Sequence, residues 1–160
     1  MPTPEQTAEV IRRLNEVLTG ELTAINQYFL HAKMHQNWGL ERLYKKVYAE
    51  SIDEMKHADQ LIERILFLDG LPNLQRLDKL RIGQTVRETL ECDVSLENDA
   101  IPRLNEFIAY CRDVGDNGTR ALLEGILVSE EEHKDWLDTQ LDLIGRIGEQ
   151  AYTAEQIRPE

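Results

Sequence analysis

Glu21, Glu54 and His57 recur as Glu97, Glu130 and His133, each 76 residues further along the chain. No other feature of the sequence restricts its fold so tightly. A lone carboxylate, followed on a second segment by a carboxylate and a histidine three residues apart, is what two neighbouring helices would offer one metal ion, because residues i and i+3 share a helix face. Two copies suit two ions held between four helices. The chain is therefore expected to be all-α, an antiparallel four-helix bundle whose halves are related by a pseudo-twofold axis.

Apolar periodicity places the helices. Pro4 and Glu5 make a helix start, and apolar residues then recur through Val10, Ile11, Leu14, Leu18, Ile25 and Tyr28, predicting a first helix to about His35. Asn37-Trp38-Gly39 breaks the pattern, and a second helix is predicted from about Leu40 to Leu68. So short a break makes the two helices antiparallel neighbours. Asp69-Gly70-Leu71-Pro72-Asn73 stops the second helix, and the stretch on to Gly83 carries leucines without a sustained period. It is predicted to be a long crossover between helices two and three. The third helix is expected from about Gln84 to Asp113, the fourth from Asn117 or Thr119 to Ile147, and a short C-terminal fifth helix from Glu149 to Gln156. All of residues 1–160 are read as a single domain, a length sufficient for one sizeable core.

A net charge of -12 argues against nucleic acid as a partner, since phosphate binding needs a basic patch, and favours cations as guests. The longest aliphatic runs, such as Ile65-Leu66-Phe67-Leu68, are too short to span a bilayer, and Met1-Pro2-Thr3-Pro4-Glu5 has neither the basic nor the apolar region of a secretory leader. A cytoplasmic protein with no membrane partner is expected. Cys92 and Cys111 fall on the third helix about 28 Å apart, too far for a disulfide, and are expected to be ordinary buried thiols.

Helical counting puts the repeated residues on interior stripes. Helix one reads Leu14, Leu18, Glu21, Ile25, Tyr28, and helix two reads Leu43, Val47, Glu50, Glu54, His57, Leu61, Leu68. Helix three reads Val86, Leu90, Asp93, Glu97, Leu104, Ile108, and helix four reads Ile126, Glu130, His133, Leu137, Ile144. Each uncompensated buried charge costs on the order of several kcal/mol. Two divalent cations would balance the four carboxylates, and the absence of thiolates favours iron or manganese over structural zinc. One imidazole per metal leaves coordination positions free for oxygen chemistry. A lone Glu-x-x-His is ordinarily a solvated helical pair; two such pairs, each with an isolated glutamate partner at a common offset, are not. Tyr28 is either a hydrogen-bond donor to a ligand, a redox-active phenol or a core tyrosine. Asp93 and Glu50, one turn from candidate ligands, either orient the histidines or form solvated ends of the stripe.

A second apolar line on helix two, Tyr48, Ile52, Met55, Ile62 and Leu66, is rotated about 100° from the first. Leu22 and Phe29 do likewise on helix one, so the outer face of this helix pair is expected to seek a second copy in a twofold homodimer. Met55 alone on such a stripe is a packing residue. At a twofold axis, however, two facing thioethers can ligate a haem iron axially.

Gly20-Glu21-Leu22, Ala24 to Ala32, Glu50 to Asp59, Ile62 to Asn73 and Glu130 to Leu143 carry a resemblance to the bacterioferritins that covers nearly the whole chain. The resemblance implies a ferritin-like bundle, assembled as twelve dimers into a hollow twenty-four-subunit shell that stores ferric mineral. It implies a ferroxidase in which Glu21 and His57 bind one iron, Glu97 and His133 the other, and Glu54 and Glu130 bridge them, with dioxygen or hydrogen peroxide as oxidant. It further implies that Met55 ligates a haem b shared between two subunits, lined by Leu22, Asn26, Phe29, Tyr48 and Ile52. That haem would pass electrons from a small ferredoxin for iron release. Two departures stand out. Ala49 replaces a histidine common before the equivalent of Glu50, which puts in doubt an inner-surface iron site that would also use Asp53, and Ser129 stands where an acidic residue is common. A di-iron oxygenase acting on an organic substrate would want a reductase module that is not evident here, and a non-catalytic shell subunit would not need all six ligands.

Overall fold

Thr3 starts the first helix. Its hydroxyl accepts from the Gln6 amide while the Gln6 side chain accepts from the Thr3 amide, a reciprocal cap for two groups that have no partner inside the helix. In this computed structural model, which describes residues 1–159, α1 runs Pro4–Asn37, α2 Glu41–Phe67, α3 Val86–Val114, α4 Asn117–Ile147 and α5 Glu149–Glu155. The described residues contain no strand. The ends lie within a residue or two of those expected from periodicity, because caps and glycines rather than apolar spacing set them.

Gly39 and Gly115 turn the chain at φ +82°, a conformation L side chains rarely adopt. Beyond Gly115, Asp116 caps α4. One carboxylate oxygen accepts from the Thr119 amide at 3.0 Å and from Arg64 Nη2 at 2.9 Å, and the other accepts from the Thr119 hydroxyl at 2.7 Å. Arg64 Nε donates in turn to Thr119 Oγ1 at 3.0 Å. The end of α2 is thus tied to the start of α4.

α1 packs along α2 and α3 along α4, α1 also meets α3 and α2 meets α4, and α5 folds onto the ends of α4 and α3. Two apolar clusters result. Val10, Leu14, Leu18, Leu61, Ile65, Leu104, Phe107, Leu123 and Ile126 build one. Tyr28, Ala32, Leu43, Val47, Val86, Leu90, Leu137, Ile144 and Tyr152 build the other. On every long helix the repeated glutamates and histidines lie between its contributions to the two clusters. Residues 68–85 hold no helix and lead from Ile65 in the first cluster to Val86 in the second. No helix among the described residues is long and apolar enough to cross a membrane.

Both cysteines fall on α3, and Cys111 is buried, but Cys92 is only half-buried. Its neighbour Asp93 takes the interior position, and one residue of rotation turns Cys92 toward the rim.

Asp116→Ala removes both the cap and the partner of Arg64, and is expected to lower the unfolding free energy by about 2 kcal/mol. Thr3→Ala at the exposed start of α1 should cost no more than about 1 kcal/mol. Denaturant midpoints of the two variants compare them directly.

Candidate metal centre

Each long helix delivers its part of the repeated pattern to one buried place. α1 supplies Glu21, α2 Glu54 and His57, α3 Glu97, and α4 Glu130 and His133, all between 0% and 8% exposed. They converge as two overlapping sets, Glu21, Glu54, His57 and Glu130, and Glu54, Glu97, Glu130 and His133. Within each set the candidate ligand atoms lie within 4.8 Å of one another. Glu54 and Glu130 belong to both.

The histidines enter in the same way. His57 Nδ1 lies 3.2 Å from Glu130, 3.4 Å from Glu54 and 3.5 Å from Glu21. His133 Nδ1 lies 3.0 Å from Glu54 and 3.9 Å from Glu130. Glu21 Oε2, Glu97 Oε2 and Glu130 Oε1 nevertheless have no hydrogen-bond partner. Buried oxygens left in this state are costly, and four carboxylates with two imidazoles form a donor set that fits a pair of divalent cations.

Without cations, protons must supply the compensation. Burial lifts the Glu130 carboxyl well above the usual range, and the negative charge of Glu54 adds to it. Burial likewise raises Glu97 to about 7. Glu54 goes the other way: burial opposes its charge, but hydrogen bonding to His133 and His57 outweighs burial and holds it down to about 2. Burial also opposes the charge of His133, and the same hydrogen bond overrides it, carrying the imidazole up to about 9. Glu54 and His133 thus form an ion pair, while Glu130 keeps its proton and Glu97 gives its proton up only as pH passes about 7.

The groups around this cluster resolve the choices left open by the sequence. Tyr28, fully buried, donates to Glu97 across the bundle, and burial keeps its hydroxyl protonated. Asp93 is 1% exposed and accepts from a histidine, but that histidine is His31 (2.8 Å), not a member of the cluster. Glu50 is 2% exposed, with Lys46 Nζ at 3.9 Å and one oxygen unpartnered. Neither is a solvated end of its stripe, because the apolar residues of the second cluster continue beyond both. His133 Nε2 lies 3.3 Å from Asp53 Oδ2, a partner the sequence pattern did not single out.

Met55 points away from the cluster. It is 52% exposed, Phe29 and Asn26 are exposed, and Leu22, Tyr48 and Ile52 are half-buried on the outer side of α1 and α2. The rings of Phe29 and Tyr48 lie 5.8 Å apart. A thioether on an apolar face left open to solvent is compatible with an axial haem ligand.

Residues 11–147 match the ferritin-like domain family. A bacterioferritin of Mycobacterium tuberculosis (strain ATCC 25618 / H37Rv) is 54% identical over 92% of this chain and 92% of its own length. The chain belongs to the bacterioferritin family. Bacterioferritins of Streptomyces coelicolor, 51% identical over 95% of this chain and 93% of the relative, and of Rhodobacter capsulatus, 48% identical over 95% and 94%, are similarly close. All six clustered residues of this bacterioferritin-family chain lie inside the matched domain.

Burial raises the Glu50 carboxyl from 4.5 to about 8. The native state therefore binds more protons than the unfolded chain between these values, and stability falls as pH rises through them. Glu97, rising to about 7, acts in the same sense, as does His133, whose contribution is lost between 6.5 and about 9. Glu54 opposes them only below 4.5, and His35, which burial lowers from 6.5 to about 3, opposes them up to 6.5 without outweighing the three. The metal-free protein is thus expected to melt at lower temperature at pH 8 than at pH 5. Glu50→Gln should reduce that difference, and a saturating divalent metal should raise the melting temperature most at the higher pH; calorimetry across the range tests both.

Proposed function

We propose that this chain stores and detoxifies iron, oxidising Fe(II) to Fe(III) at the buried cluster and depositing the product inside a hollow homo-oligomeric shell. The observation that supports this reading most directly is the pair of overlapping ligand sets sharing Glu54 and Glu130, with buried oxygens that have no other partner. Glu21 and His57 are assigned to one iron and Glu97 and His133 to the other, with Glu54 and Glu130 bridging. Ferrous iron here is substrate: two ions give up one electron each, reducing dioxygen and two protons to hydrogen peroxide, or hydrogen peroxide and two protons to water.

The chain's own residues prepare the site. Glu130, and Glu97 below about pH 7, hold protons that arriving cations displace, so charge compensation passes from proton to metal without an empty, repulsive stage. Tyr28 fixes the orientation of Glu97 by donating to it. Asp53 sits at the Nε2 side of His133, leaving Nδ1 directed at Glu54. An outer partner of this kind sets both the tautomer and the direction of a ligating imidazole.

The finer assignments follow the same family reading. The long helices form the antiparallel ferritin-like bundle with residues 68–85 as its crossover, within a single domain of residues 1–160. Twofold dimers assemble into a twenty-four-subunit cytoplasmic shell. Haem b is held between Met55 of two subunits against Leu22, Asn26, Phe29, Tyr48 and Ile52. When bound it supplies a one-electron conduit for mineral reduction, with a small ferredoxin as donor. Ala49 stands beside Glu50 where the family commonly has a histidine, so Asp53 lacks that partner for an inner-surface iron site, and its carboxylate lies against His133 instead.

Wild type should bind two Co(II) per chain, and Glu54→Ala combined with His133→Ala should lose both. Stopped-flow Fe(II) oxidation in that double variant should fall by more than about a hundredfold, the upper end of what loss of an outer partner alone costs. Wild-type rates there would remove the di-iron assignment. Met55→Leu is expected to abolish the bis-methionine haem spectrum while initial Fe(II) oxidation persists; an unaltered spectrum would exclude Met55 as the ligand.

A further inference from the structure

Polar residues recur along α1 at intervals of one or two turns, at Asn15, Thr23, Gln27 and His31, and each grips the backbone of the segment that follows α2. Asn15 Nδ2 donates to Leu71 O at 3.1 Å, and Asn15 Oδ1 accepts from the Asn73 amide at 2.8 Å. Thr23 Oγ1 accepts from the Asp78 amide at 2.9 Å, Gln27 Oε1 from the Arg81 amide at 2.9 Å, and His31 Nε2 from the Gly83 amide at 3.1 Å. Among the described residues no backbone-to-backbone hydrogen bond ties residues 71–83 down. This strap is held by side chains.

Gln27 and His31 hold it in a determined orientation. The Gly83 N–H occupies His31 Nε2, so the ring proton is on Nδ1, which donates to Asp93 Oδ1 at 2.8 Å. The Arg81 N–H occupies Gln27 Oε1, so the Gln27 amide nitrogen donates to the same Asp93 oxygen at 2.9 Å. Gln27 and His31 are fully buried, and Asp93 is 1% exposed. Flipping the Gln27 amide would set a donor against the Arg81 amide, and turning the His31 ring over would leave the Gly83 amide facing a C–H. One carboxylate oxygen on α3 therefore fixes two side chains on α1, and these fix two successive anchor points of the strap.

The strap has something to cover. A cavity of about 270 Å³ extends from Asp78 and Arg81 on the strap, past Arg103, to Glu21, Glu54, Glu97 and Glu130. At the strap's end, Gly83 lies so close to α3 that an added Cβ would sit 2.4 Å from Thr89 N. The strap is packed against α3 at that end and anchored by side chains along its length.

We propose that Asp93 is the positioning residue of a latch, Gln27–Asp93–His31, that keeps the strap closed over this cavity and so restricts by size the molecules that reach metal at the centre. This rests on reading the carboxylate cluster as a metal centre. The role is structural access, not chemistry: the side-chain hydrogen bonds of Asp93 go to Gln27 and His31 and to no clustered residue, and it acts through those two.

The intact assembled protein loaded with Co(II) provides the test. In Asp93→Ala, hydrogen exchange in peptides covering Arg81 and Gly83 should accelerate at least about tenfold, as expected when a local opening loses its anchors. Co(II) removal by a bulky chelator should accelerate about tenfold, removal by a small chelator should change little, and the Co(II) content per chain should be unaltered. Asp93→Asn keeps an acceptor oxygen and should restore most of the protection and the size discrimination. Unchanged exchange in Asp93→Ala would show that Asp93 is no latch, and faster exchange with unchanged discrimination would show that the strap does not control access. Should Asp93→Ala not fold, Gly83→Ala, which displaces the strap from its far end, must lose the same discrimination; retention of it with the strap displaced overturns the proposal. Wild type that takes up no Co(II) would instead refute the metal-centre reading and the access role with it, while the exchange measurement still decides whether Asp93 holds the strap.

Discussion

Four carboxyl groups and two imidazoles share one buried volume at the middle of the helices, and the rest of the structure is arranged around that unfavourable concentration of charge. Burial alone would expel the charges or neutralise them. The protein does neither completely. Glu54 remains ionised against His133, Glu130 retains its proton, Glu97 holds one below about pH 7, and three oxygens are left without a partner. Such a cluster survives because an apolar cluster on either side supplies the packing that holds the four helices at the required separation. The site is a region of stored cost, of the kind that cations replacing protons would relieve.

The same helix serves two environments. On α2, Glu54 and His57 face the interior and Met55 faces solvent, because adjacent residues on an α-helix differ by about 100° in direction. Metal-directed and surface-directed chemistry can therefore sit next to each other in sequence without interfering. The symmetry between the two halves stops at this point: Glu131 occupies the position that repeats Met55. The metal pattern is completed within one chain, whereas a thioether pair needs a second.

The connection between α2 and α3 shows a different economy of hydrogen bonds. A helix satisfies its backbone internally, but an extended strap cannot, and α1 provides the missing acceptors from its side chains. Thr23, Gln27 and His31 therefore act as substitutes for backbone carbonyls. That use of polar side chains explains why the buried face of α1 is not uniformly apolar beside the carboxylate cluster.

Helix positions and the six converging residues were legible in the sequence because both depend on local periods: three to four residues along one helix, and an offset repeated between halves. The buried face of each helix follows from the same spacing. The relations between faces do not. Asp93 looked like a partner for a clustered histidine because it lies one turn from Glu97, yet its partner is His31, 62 residues away. Tyr28 shares a stripe with Glu21 but donates to Glu97, 69 residues away, and Asp53 reaches His133 from 80. The polar period of α1 was present all along, but spacing alone does not distinguish a solvated face from one that anchors a strap. What the sequence determined by itself was which side chains point inward, since that is set by rotation along a single helix. Which of them meet, and which cover or orient the others, was decided only by the tertiary structure, since it depends on how far each helix is displaced and turned against the next.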